Sequence, residues 1–151
     1  MDKYLFLFTL GPVQSFISQA RKTRDLYAGS QLLSKLIGHA MSAFLDVFPK
    51  CEIIFPFFDP KDENVSYPNR FVAQVESNGS ELKSQGQKIE SAVRNAWKAI
   101  AEQALDDAGV RLQGYWHEQY YRQIEDFLEI HWLFVPMSED DYGSAYNILE
   151  R

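Results

Sequence analysis

Apolar side chains fall on both parities of Lys3–Leu10: Tyr4, Phe6 and Phe8 on one face, Leu5 and Leu7 on the other. That pattern predicts a strand covered on both sides, stopped by Gly11-Pro12 because proline cannot donate to a ladder. After a short helical turn over Val13–Ala20, the period changes. From Gly29-Ser30 to about Phe48, Leu33, Leu36, Ile37, Ala40, Met41, Phe44, Leu45 and Phe48 follow helical spacing, and Pro49 closes the run. Cys51–Phe58 reads as an edge strand interrupted by Pro56, and Asp59–Pro68 as a polar loop. Arg70–Glu76 alternates like a half-buried strand, and Asn78-Gly79-Ser80 turns the chain with Ser80 as the expected N-cap. A second long helix is expected over Glu81–Ala108, its inner stripe made of Leu82, Ile89, Val93, Trp97, Ile100, Ala104 and Leu105. Gly86 weakens its first turns. An aromatic helix over Tyr115–Asp126 then precedes a last strand, Leu128–Val135, ended by Pro136.

The order β-α-β-β-α-(α)-β predicts an α+β, ferredoxin-like fold. Four antiparallel strands carry both long helices on one face, with the first and third strands central. Residues 1–137 form that domain. Ser138-Glu139-Asp140-Asp141 reads as a cap with an acidic first turn, and Ala145, Tyr146, Ile148 and Leu149 begin a stripe that reaches Arg151 without a capping residue. Residues 138–151 are therefore expected to start a following helix in a longer chain.

Charge refines this picture. The net charge of -6 argues against a general nucleic-acid binder. It is uneven, however: residues 1–50 hold six Lys/Arg against three Asp/Glu, and the rest hold nine against eighteen, so the basic cluster is Arg21, Lys22 and Arg24. A single cysteine, Cys51, excludes an internal disulfide and a Cys-rich zinc site, which suits a reducing cytoplasm. The apolar run near the start is too short to span a bilayer and lacks a signal pattern, so no membrane contact is expected.

Gly11–Ser34 concentrates the candidate chemistry. A helix opening at Gly29-Ser30 exposes unpaired N–H groups that favour an anion such as phosphate. Gly29 permits close approach, Ser30 adds a hydroxyl, Arg21 and Arg24 neutralise phosphate, and Gln14 and Ser15 hydrogen-bond a base or ribose. The phosphate-loop pattern GxxxxGK[ST] is missing. A packing role fits the stretch equally: Phe16, Ile17, Leu26 and Tyr27 hold a loop to the sheet, and Arg24-Asp25 is a local ion pair. Asn69 and Arg70 of PNRF stand where they reach a ligand or partner, or simply turn the chain into a strand. RFVAQV lacks the glycine and second aromatic of an RNA-stacking strand.

The run LGPVQSFISQARKTRDLYAGSQLLS, followed by YPNRF and WLFVP, resembles the N-terminal part of the large polymerase/cyclase-like subunit (Cas-ten family) of type III-B (Cmr) CRISPR effector complexes. The resemblance implies a first palm-like domain in antiviral defence. It acts as scaffold and as half of a composite ATP site whose second palm carries a Gly-Gly-Asp-Asp hairpin, binds Mg or Mn and makes cyclic oligoadenylate. It further implies an HD-type nuclease domain in many members, and other Cmr subunits, a guide RNA and a target RNA as partners. This chain departs from the active pattern: it has no GGDD, Asp106-Asp107 and Asp140-Asp141 follow no glycines, and His39, His117 and His131 are scattered. Neither a catalytic residue nor a metal ligand is expected in it. An independent ferredoxin-like module that binds protein or RNA without a nucleotide role is the alternative.

Overall fold

The computed structural model describes every residue except Glu63, Glu139 and Asp140. Its elements are β1 (Asp2–Gly11), α1 (Val13–Ser18), α2 (Thr23–Val47), β2 (Cys51–Phe55), β3 (Arg70–Ser77), α3 (Leu82–Asp107), α4 (Tyr115–Phe127), β4 (Glu129–Met137) and α5 (Tyr142–Leu149). The four strands form one antiparallel sheet in the order β2-β3-β1-β4, so β1 and β3 are central, as expected of a ferredoxin-like chain.

The two faces of β1 explain its doubly apolar sequence. Tyr4, Phe6, Phe8 and Leu10 point into the main core with Phe71, Ala73 and Val75 of β3, beneath α2 and α3. Phe6 stacks on Phe44 of α2 at 5.1 Å between ring centroids, so an aromatic layer joins helix to sheet. On the opposite face Leu5 meets Val72, Val135 and, from α5, Ala145 and Leu149. The helix α5 thus packs back on the sheet. Its N-cap is Asp141, whose carboxylate accepts from the Ser144 N–H at 2.9 Å; Glu139 and Asp140 of the expected acidic turn lie outside the described residues.

Four boundaries differ from the sequence reading. α2 begins at Thr23 rather than at Gly29-Ser30, because Thr23–Ala28 contains no breaker and the exposed first turns need no apolar stripe. β4 runs through Pro136, which pairs opposite Tyr4; as an edge strand it has a side where no donor is required. Phe55 ends β2 at an irregularity in its pairing with β3, earlier than Phe58. The residue before α3 is Glu81, and no side chain caps that end, so Ser80 is not the N-cap. Within the helices, Leu45 and Ala104 face outward although the periodicity counts them as inner positions.

Candidate functional site

β1 delivers the chain to a corner at one end of the sheet. There Gly11 leads through Pro12 into α1, and a short link carries Arg21 and Lys22 to the start of α2. Gln14 and Ser15 lie exposed on α1, Arg21 lies exposed in the link, and Arg24 lies exposed in the first turn of α2. The ion pairs among the described residues, Arg70–Glu150 at 3.2 Å and Arg94–Glu90 at 2.9 Å, include none of these cations, and Arg24-Asp25 forms no such pair. Three positive side chains with no ion-pair partner among the described residues therefore project there, together with Tyr27, which is 66% exposed.

Gly29 and Ser30 sit elsewhere in the helix than expected. They occupy the second turn of α2, where each N–H is taken by the helix's own carbonyls, so neither offers a free amide to phosphate. Gly29 has a packing role instead. A Cβ there would stand 3.0 Å from Cε1 of Phe16, so the bare backbone lets α1 lie close against α2. Phe16 also meets Phe127 edge-on at 5.2 Å, and Phe127 stacks on Trp97 at 5.4 Å, tying the corner to α3 and α4. Phe16, Ile17, Ala20, Leu26 and Leu32 line a shallow cleft of about 370 Å³ between α1 and α2. Ser30 keeps its exposed hydroxyl.

Asn69 and Arg70 are engaged by the fold. The Leu10 N–H donates to the Asn69 carbonyl at 2.8 Å, and Asn69 Nδ2 donates to the Leu10 carbonyl at 3.4 Å. Arg70 Nη1 reaches Glu150 beyond α5. PNRF thereby pins the end of β1 and ties the last helix to the sheet.

Two features escaped the sequence reading. The first is a cavity of about 550 Å³ beside α2, with Lys35, His39, Asp59 and Tyr67 in its walls. Buried Ser34 ties Val65 and Tyr67 to α2 at its base: its Oγ accepts the Tyr67 N–H at 2.8 Å and donates to the Val65 carbonyl at 3.4 Å. A serine among apolar inner positions was the available signal. The second is the Glu90 carboxylate, which accepts from Trp132 Nε1 at 3.0 Å and from Arg94 Nε at 2.9 Å. Burial alone pushes Glu90 up, but those two donors outweigh it and hold the carboxyl below its usual range.

Arg21, Lys22 and Arg24 are thus exposed cations of the kind that hold anions, and Gln14, Ser15 and the Ser30 hydroxyl are exposed as well. Among the described residues, no three His, Cys, Asp or Glu side chains come together to hold one. No helix of the described residues is long and apolar enough to cross a membrane.

The family described as CRISPR-associated protein Cmr2, N-terminal, matches residues 5–102, well over half of the chain. "CRISPR system Cmr subunit Cmr2" of Pyrococcus furiosus is 26% identical over 174 aligned positions, which take in 99% of this chain and 20% of that protein. The chain thus spans about a fifth of the length of that relative.

Proposed function

We propose, because this chain belongs to the family of the N-terminal part of CRISPR-associated protein Cmr2, that it is the first palm-like module of a type III-B effector's large subunit. In this reading it serves cytoplasmic antiviral defence as a scaffold for neighbouring Cmr subunits, in a complex that carries guide RNA and meets target RNA. It also supplies one wall of a composite ATP site used in cyclic oligoadenylate synthesis.

The observation that carries the nucleotide part is the corner at the end of β1, where Arg21, Lys22 and Arg24 project without ion-pair partners among the described residues. Arg21 and Arg24 hold phosphate oxygens by charge-assisted hydrogen bonds. Gln14 and Ser15 contact the base or ribose, and Ser30 contributes a hydroxyl. The Gly29 amide takes no part, since the helix already uses it. ATP supplies the transferable nucleotidyl group; this chain's residues bind and orient it. Metal-binding carboxylates are assigned to the second palm, since this sequence has no GGDD.

The test is direct. Incubated with ATP and Mg or Mn, the isolated 151-residue chain binds nucleotide feebly and makes no cyclic oligoadenylate. Product formed by this chain alone would overturn the reading.

A further inference from the structure

Tyr115 and Trp116 open α4 with 64% and 69% of their surfaces exposed, and their rings meet each other edge-on at 5.4 Å instead of packing into the core. Val110, in the link before α4, is also exposed, which extends the apolar corner. Beside it, α3 and α4 enclose a cleft of about 470 Å³, with Glu102 and Asp106 on the α3 side and His117 and Tyr121 on the α4 side. We propose that this corner docks a protein surface presenting arginine or lysine side chains.

Charge complementarity selects that partner. Between residues 102 and 118 the chain carries Glu102, Asp106, Asp107 and Glu118 against Arg111, four acidic groups to one basic, with Lys98 and Arg122 flanking the run. Arg111 lines the cleft too, yet neither Glu102 nor Asp106 belongs to an ion pair among the described residues. Glu102 and Asp106 are four apart on α3 and so stand on one side of it. The aromatic wall suits a cation as well. Lys98 Nζ already lies 5.5 Å from the centroid of the Tyr121 ring, which also meets the His117 ring at 4.7 Å and the Tyr120 ring at 5.5 Å. Exposed tryptophan and tyrosine beside a desolvating cleft are the residue types that dominate binding energy at protein interfaces. The same carboxylates repel nucleic acid and anionic lipid, which disfavours those occupants. The inference does not depend on the nucleotide reading.

The inference is tested with labelled nine-residue peptides that alternate arginine with glycine, or glutamate with glycine, and with oligouridylate of similar length, by fluorescence anisotropy. The arginine peptide binds best. Trp116→Ala, and separately Glu102→Gln with Asp106→Asn, weaken it at least about fivefold, while Asp46→Asn on the exposed face of α2 does not. These side chains are exposed, so circular dichroism of each variant should match the parent. No binding of the arginine peptide, equal loss in the Asp46→Asn control, full binding by Trp116→Ala, or tighter binding of the glutamate peptide or the RNA each overturns the proposal.

Discussion

The indole of Trp132 lies against Gly86: a Cβ built on that glycine would fall 2.5 Å from Cζ3 of the ring. The ring cannot simply step aside, since its Nε1–H is held by Glu90 at 3.0 Å one helical turn further along α3. Glycine in this helix is therefore a condition for docking β4 rather than a weakness of the first turns alone.

Gly86→Ala is expected to destabilise the chain. Alanine would gain roughly 1 kcal/mol in helix propensity, but overpacking against a fixed ring costs about 1–3 kcal/mol, and backbone shifts add to it. Urea unfolding should show a lower midpoint than the parent. An unchanged or higher midpoint would mean that the ring relaxes freely.

Gly29→Ala should behave differently. The contact there is 3.0 Å, to the edge of Phe16 on a six-residue helix that can yield. The propensity gain of roughly 1 kcal/mol is then retained in part, so stability stays level or rises slightly while α1 shifts. Parallel unfolding curves of the two alanine variants give the contrast, and a loss at Gly29 as large as that at Gly86 would contradict it.

These two glycines also show what the sequence could carry. Periodicity placed the sheet order, both long helices and the two-faced first strand, because burial on a regular element leaves a repeating trace in the residues. It could not show that Gly29 and Gly86 answer to aromatic rings distant in sequence. Nor could it find the true start of α2: the first turns, Thr23–Ala28, are exposed and so carry no apolar repeat. The basic residues of the corner were legible as charge, while the loss of the Gly29 amide as a phosphate donor followed only from that boundary. The exposed pair Tyr115–Trp116 gave an aromatic helix in the sequence, with no sign of which rings would remain outside.

Acid should weaken the Glu90 link. Its folded-state value is held below the usual 4.5 by Trp132 and Arg94, against the effect of burial. The contribution is therefore fully present above that usual value and is lost as pH falls through the lowered one. Glu90→Gln should unfold more easily at neutral pH, and the gap to the parent should narrow as pH falls below 4.5. Urea midpoints taken across this range check the sign; a gap that widens in acid would contradict it.

Ser34→Ala removes the acceptor for the Tyr67 N–H. Leaving such a donor without its partner costs about 1–3 kcal/mol, and the loss should be concentrated in the 58–67 loop. Hydrogen exchange should quicken at Tyr67 and its neighbours while the amides of β1 and β3 remain protected. Faster exchange spread evenly over the sheet would instead indicate a global effect.

The nucleotide reading stands or falls at the basic corner. In the full-length subunit assembled with its Cmr partners, Arg21→Ala with Arg24→Ala should weaken ATP binding at least about tenfold, as expected for losing charge-assisted phosphate contacts. An equilibrium titration with ATP, run beside the parent complex at the same salt, measures it. The account predicts that loss with assembly intact; unchanged ATP affinity in the intact complex would contradict it and leave the corner a purely structural element.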